Sequence, residues 1–472
     1  MHNANLKKFL FFSAAGFAAI CNVLIAQTPR PPTPLFSLMQ LRLTPTAPAA
    51  RPASLGGAFI GVADDATAAA INPAGLSFLS RPEVSLGHIL GQRARDYPIA
   101  GTRGELSTHR DRNPLFAQTL VNIVYPRWGF TFALYQQHAF HHDFDFTRQQ
   151  FLTIAPARPL NLHEQLGASG NFSGLNSNFS AQVIHNAIAV SKAVQRRWRI
   201  GFSTAATQFR LQLHERHYFD PQLWLQKTFA ANTAALVSNN AESLYRLYAL
   251  ELDQFKMSWN LGLLIALAQN FNLGIVYQHL PSFKVNSHIF LPAYKLPARE
   301  LDAEISFSPQ ELAIPFQLNL PDHFGVGLAW KPASKILAAC DIVLYRQQAL
   351  VDGLNLNLPQ DDQLQNDGNY LDLDGKADLE AKDVLSFHGG IEYSLIRKKT
   401  ILPIRFGLYT APQLGLQAAT TDVNLQREYP RESWRFHLTA GAGIVLKNVR
   451  FETSLDMSST SIETIGSAVV RF

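Results

Sequence analysis

The chain is poor in cysteine and in charge, and past its N-terminus it has no long apolar run. Its 472 residues include two cysteines, Cys21 and Cys340. Only Cys340 would remain once an N-terminal leader is removed, which excludes a disulfide framework. Charged residues make up 16% of the chain, against roughly a quarter in soluble proteins. The formal charge of +5 includes Lys7 and Lys8 of the leader, and the rest is too dispersed to argue for nucleic acid. No segment after the leader approaches about eighteen uninterrupted apolar residues, so no helical membrane domain is expected.

Catalytic and metal-binding patterns are absent as well. There is no nucleophile elbow, Walker loop or dinucleotide fingerprint. His163-Glu164 and His214-Glu-Arg-His217 do not make a zincin helix, which needs two histidines four apart around the glutamate. The acids Asp361, Asp362, Asp367, Asp372, Asp374, Asp378 and Glu380 fail the spacing of an EF-hand and read as a solvated outer loop. His138, His141 and His142 lie close together, but strand alternation puts 141 and 142 on opposite faces. No catalytic residue, metal or cofactor is expected.

What the sequence has is alternation. Hydrophobic residues make up 47% of it, and in the second half they recur with period two. Phe436, Leu438, Ala440, Ala442, Ile444 and Leu446 form one face of a segment whose other face carries Arg435, His437, Thr439, Gly441 and Gly443. The terminal segment sets Val470, Ala468 and Ile462 against Arg471, Ser467, Glu463 and Ser461 and ends on Phe472. Such segments of about ten residues are the signature of a transmembrane β-barrel. Some fourteen are legible, roughly at 83–90, 116–125, 130–146, 179–194, 199–219, 255–268, 271–290, 315–331, 335–350, 383–396, 401–411, 435–447, 449–458 and 461–472. Short turns such as Pro126–Gly129 and Gln269-Asn270 alternate with long polar connections, as periplasmic turns alternate with outer loops. The expected fold is therefore all-β, an antiparallel barrel of about 14 strands occupying residues 83–472. Glycines on the inward face suggest a lumen that something fills.

Three further segments stand apart. Residues 1–26, with Lys7 and Lys8 before an apolar run from Phe9, read as a secretory signal. The Pro-rich linker at 27–52 lacks the basic flank of a membrane anchor, and Ile20 before Cys21 disfavours a lipoprotein. Residues 53–82 are rich in small side chains and suit a plug inside the barrel, with Asp64 and Asp65 capping a short helix and Asn72-Pro73 ending it. Pro221–Asp253 places Leu244, Leu247, Tyr248 and Leu250–Leu252 at helical spacing, which predicts a helix in an outer loop. It is either a plain surface helix or an apolar cap.

The run Gly56-Gly-Ala…Ala63-Asp-Asp-Ala…Asn72-Pro-Ala-Gly-Leu76 resembles the N-terminal signature of the FadL family of outer-membrane transporters of hydrophobic compounds. It also resembles the related PorV-type proteins of type IX secretion. Leu320–Leu328 and Ile404–Leu408 are similar to strand openings of that family. The resemblance implies a barrel with an N-terminal hatch in its lumen, Gly56, Gly57, Asp64, Asp65, Asn72, Pro73 and Ala74 being the hatch and gating residues. A hydrophobic small molecule such as a long-chain fatty acid would bind near the outer loops and leave laterally into the membrane at a kinked third strand. His138, His141 and His142 mark the candidate kink, while Leu244, Leu247, Tyr248 and Arg216 mark the candidate point of uptake. Arg210, Arg216 and Lys227 are equivalent candidates for holding a carboxylate. Phe472 would be the signal read by the outer-membrane barrel assembly machinery. A monomer in contact with outer-membrane lipids, no enzyme and no nucleic-acid partner is implied. The alternative is a PorV-like scaffold for a secretion system.

Overall fold

A computed structural model describes residues 47–100, 106–112, 116–148, 172–219, 244–291, 294–298, 303–307, 310–350, 379–411, 417–419, 434–459 and 461–472. The expected signal and most of the expected linker, the greater part of the acidic stretch, and Lys227 lie outside these residues.

Two short helices, α1 (Ala50–Ser54) and α2 (Ala68–Ile71), and a 3-10 helix (Pro73–Phe78) come first. The strands then follow as β1 (Glu83–Ala100), β2 (Leu106–Arg112), β3 (Phe116–Arg127), β4 (Phe130–Arg148), β5 (Phe172–Ala193), β6 (Trp198–Phe219) and β7 (Leu244–Ala268). Next come β8 (Phe271–His279), β9 (Ser282–Leu291), β10 (Tyr294–Ala298), β11 (Ala303–Phe307), β12 (Gln310–Asn319), β13 (His323–Ala333) and β14 (Ile336–Tyr345). The last are β15 (Leu379–Glu380), β16 (Val384–Arg397), β17 (Thr400–Ala411), β18 (Gln417–Ala418), β19 (Arg435–Val445), β20 (Val449–Met457) and β21 (Ser461–Arg471).

Neighbouring strands pair antiparallel in chain order, and β21 closes on β1 from Glu83↔Arg471 to Arg93↔Ser461. Strands β8 and β9 are two halves of one stave, as are β12 and β13, which makes a closed barrel of 14 staves. Closure leaves no unpaired edge in the membrane, the condition for a sheet to span it. The expected strands recur, most with boundary shifts of a few residues, but β1 runs on to Ala100 where the expected strand stopped at 90, and β7 begins at Leu244 where it was expected at 255. The hairpin formed by β2 on the far half of β1, from Ala94↔Arg112 to Ala100↔Leu106, was not expected.

The helix expected over Pro221–Asp253 is corrected where it is described. Leu244, Leu247 and Tyr248 belong to β7, which pairs with β6 without interruption from Trp198↔Ile265 to Phe219↔Leu244. Residues four apart share a face in a strand as well as in a helix, so Leu244, Tyr248 and Leu252 satisfied both periods. The neighbouring strand decided between them.

The wall changes character along its height. Near the short turns Ile200 and Phe202 of β6 are exposed on the outside while Ser203 and Ala205 are buried inside. Further up the same strand the pattern reverses: Arg210, Gln212 and His214 are exposed and Phe209, Leu211 and Leu213 are buried. The lower part is built for lipid outside, the upper part for water outside with an apolar interior.

Candidate functional site

Residues 49–79 pack inside the barrel. The 3-10 helix contacts β4, β5, β6 and β7, while α1 contacts β17, β19, β20 and β21, so the segment reaches opposite sides of the wall. Leu55, Ala58, Phe59, Ala63, Ala66, Ala74 and Leu76 are fully buried. Lumen-facing glycines let backbone meet backbone: a Cβ at Gly201 would collide with Pro73 and Ala74, and one at Gly390 with Leu55. Gly56 and Gly57 take φ of 64° and 79°, a region open chiefly to glycine. The Gly56 N–H donates to Thr439 Oγ1 (3.1 Å) and its carbonyl accepts from His388 Nδ1 (2.7 Å). Asn72 is fully buried; its Oδ1 accepts from Ala74 N–H (3.2 Å), and its Nδ2 donates to Ile60 O (2.8 Å) and to Leu263 O on β7 (3.3 Å). Asp341 of β14 accepts the N–H groups of Phe59 (2.7 Å) and Ile60 (2.8 Å).

A buried charge network pins this segment to the wall. Arg51 bonds Asp64, Asp65 (3.1 Å) and Glu392 of β16 (3.2 Å). Arg405 of β17 joins Glu392 (2.6 Å) to Glu452 of β20 (2.6 Å), and Arg450 of β20 bonds Asp65 (2.7 Å). Lys331 of β13 reaches Asp64 (3.2 Å). Burial alone would raise the Asp64 carboxyl, but Arg51 and Lys331 overcome it and hold it at about 2. The same contest, won by Arg450 and Arg51, puts Asp65 well below the carboxylate range. Burial disfavours the Arg51 cation, yet Asp64, Glu392 and Asp65 keep it charged. Asp65 also accepts from Thr67 N–H (3.0 Å), but Thr67 is the N-cap residue of α2 and no side chain caps that helix. The capping expected of Asp64 and Asp65 is therefore not made: both carboxylates are taken up by the charge network. Arg51, placed in the linker by the sequence reading, is the hub.

Because the folded Asp64 carboxyl is depressed, its stabilising contribution is complete above its unfolded pKa near 4 and is lost as pH falls toward 2. Acidification across that interval should raise amide exchange in residues 49–79 before the barrel strands exchange. Equal loss of protection in both at one pH would contradict this.

Above the segment lies a second apolar cluster. Phe140 of β4, Phe179 of β5, Phe209 and Leu211 of β6, Leu252 of β7 and Phe283 of β9 are among its buried members. A polar step separates the two levels, where His185 Nδ1 meets Thr207 Oγ1 (2.8 Å) and Thr207 meets Ser258 (2.6 Å). At the same height β4 is bulged: its register with β5 shifts between His138 and Phe140. Its ladder with β3 ends at Leu120↔Gln137, although β3 begins at Phe116 and β4 runs on to Arg148. Ala139 packs against the cluster.

The other sequence candidates fall apart. Arg216 is exposed on β6 opposite Leu247 of β7. Arg210 is exposed and paired with Asp253 (3.3 Å). Neither shares a face with the buried cluster. Phe472 is exposed, and its N–H donates to Pro82 O (3.0 Å). Asp341, Arg405, Arg450 and Glu452 went unnoticed in the sequence. Their signal was charge at inward positions of strands meant for a membrane.

No curated protein matches the chain in sequence. Solved structures share its fold. The Pseudomonas putida toluene transporter TodX is 14% identical with a TM-score of 0.57, covering 91% of this chain and 99% of that one. The Ralstonia pickettii toluene transporter TbuX is 14% identical with a TM-score of 0.54 over the same shares. A Pseudomonas aeruginosa FadL homologue is 12% identical with a TM-score of 0.53, again over 91% and 99%. The family model described as outer membrane protein transport protein (OMPP1/FadL/TodX) matches residues 49–372, from the inner segment through the eighth and ninth staves. The chain therefore belongs to this family of bacterial outer-membrane transporters of hydrophobic compounds.

Proposed function

We propose that the protein is a passive carrier with long-chain fatty acids as its default cargo, that residues 49–79 act as its hatch, and that cargo leaves laterally at the third stave. The observation that carries this reading is adjacency. Ala139, at the bulge, packs against the apolar cluster, and Phe140 beside it is a member, where β3 and β4 cease to pair. A molecule held in the cluster would meet the membrane there without crossing water. Each buried methylene contributes about 0.8 kcal/mol, so the tail needs only apolar walls. Hatch movement would disturb this stave directly, because the 3-10 helix and α2 both touch β4. The toluene carried by TodX and TbuX makes small aromatics the competing cargo. In the same reading Phe472 is the aromatic end used in barrel assembly.

Purification from native membranes in mild detergent, followed by lipid analysis, tests the cargo. Co-purified fatty acid supports the reading. A stoichiometric secreted protein and no lipid would replace it with the PorV-like scaffold. Phe209→Asp places a carboxylate in the cluster and should weaken binding of a fluorescent fatty acid at least about tenfold, while Phe209→Leu changes it little. Equal affinity in both variants would remove the cluster from the binding site.

A further inference from the structure

The wall has a second interruption across the apolar cluster from the bulge, with β5 and β6 between them. Strand β7 pairs with β8 from Ala268↔Phe271 to Trp259↔His279, then with β9 from Leu250↔Ser287 to Leu247↔Phe290. Between these ladders residues 251–258 and 280–286 face one another with no registered pair. Pro281, without an N–H, sits at the corner where β8 becomes β9. The inward face changes parity there, from Gly274 and Val276 to Phe283 and Val285. The next stave turns at the same level, at Pro321, from inward Leu318 on β12 to inward Gly325 on β13. The corner is held firmly: Asp322 accepts from Tyr277 Oη (2.7 Å) and from Leu280 N–H (2.9 Å).

Side chains bridge where backbones do not. Gln254 Nε2 donates to Lys284 O (3.2 Å) and Lys256 Nζ to Ser282 O (2.6 Å). Both belong to the inward parity of β7, with Leu250 and Leu252 of the apolar cluster. Lys256 Nζ lies 5.8 Å from the ring centroid of Phe283, another member of the cluster. Outside, Phe255 and Met257 are 60% and 61% exposed, and the exposed Arg210–Asp253 pair lies just beyond them. A membrane crossing takes about ten strand residues; counted from the turn at Asn270, that places the interruption at the outer rim of the apolar band.

We propose that this interruption is a second lateral portal, distinct from the one at β3 and β4, and that Lys256 selects cargo with an anionic head, a single-chain carboxylate amphiphile. The tail lies among Leu252, Phe209 and Phe283, and the head sits in the gap. Lys256 exchanges its neutral carbonyl partner for a carboxylate, which is the stronger acceptor. Gln254 and Lys256 bar the gap with side chains alone, and both are flexible, so opening costs no ladder. The proposal rests on the cluster being the holding site.

The test uses the full-length protein in proteoliposomes, in a Cys340→Ser background. Gln254→Cys and Lys284→Cys are bridged by a reducible bifunctional thiol reagent, and uptake of labelled oleate is followed before and after reduction. Bridging should lower uptake severalfold, with recovery on reduction. Unchanged uptake overturns the portal and leaves exit at β3 and β4 standing. Absence of oleate binding to the unbridged protein overturns the holding site and the portal together. Lys256→Met should lower oleate affinity about tenfold without lowering hexadecane uptake, since it removes a bar as well as a charge, with Lys256→Arg close to the parent. Equal losses for oleate and hexadecane, in variants with the parent's heat-modifiable mobility, overturn the role of Lys256 in selection.

Discussion

Replacing Arg51 with Ala is expected to release residues 49–79 from the wall while the 14 staves stay paired. The guanidinium is buried and touches three carboxylates, Asp64, Asp65 and Glu392. Its loss leaves a network of four bases and four acids (Arg51, Lys331, Arg405, Arg450; Asp64, Asp65, Glu392, Glu452) one positive charge short. Breaking a buried pair from one side costs about 3–5 kcal/mol, because the remaining charges cannot reach water. The segment can relieve that cost by leaving the lumen, whereas the barrel is held by its own ladder. Faster amide exchange across residues 49–79 and larger single-channel conductance are the readouts. Unchanged protection there would show that the apolar packing holds the segment without the network. Arg51→Lys, which keeps the charge without the fork, should fall between the two.

Gly201→Leu should have an effect of similar size through sterics alone. A Cβ at this position meets the backbone of Pro73 and Ala74. That backbone cannot step aside, because Asn72 Oδ1 holds Ala74 N–H and Ser191 Oγ holds Ala74 O (2.9 Å). Overpacking a well-filled site costs about 1–3 kcal/mol, and a clash with fixed backbone belongs at the upper end. The variant should assemble as a barrel but admit polar solutes that the parent excludes, read as faster swelling of liposomes in a small sugar. Gly466→Ala is the control, since a Cβ there meets nothing within 4 Å. If both variants swell alike, close approach at Gly201 does not seal the lumen.

The staves were legible because a strand writes its environment locally. Lipid on one face and lumen on the other impose a period of two that survives in ten residues. Inward glycines such as Gly327, Gly390 and Gly441 signalled a filled lumen, and the structure places Gly61, Leu55 and Ser54 against them. The misreading of Leu244, Tyr248 and Leu252 has an equally local cause, a spacing of four that both periods allow. Arg216 stood out by its position near a loop, but the parity of β6 turns it outward, away from the cluster.

The sequence by itself determined the barrel, its closure in chain order, and the presence of a small-residue segment that needed a lumen to pack in. Only the tertiary structure decided what holds that segment and what the lumen offers. Arg51 and Glu392 are 341 residues apart in the chain, and Arg450 and Asp65 are 385 apart. No local period links such pairs; they meet because closure and register bring four separate staves to one height. The apolar cluster and the breaks in pairing at Ala139 and Pro281 have the same origin. Each depends on which residue stands opposite which across neighbouring staves, and one bulge or one proline shifts that relation without altering the alternation on either side.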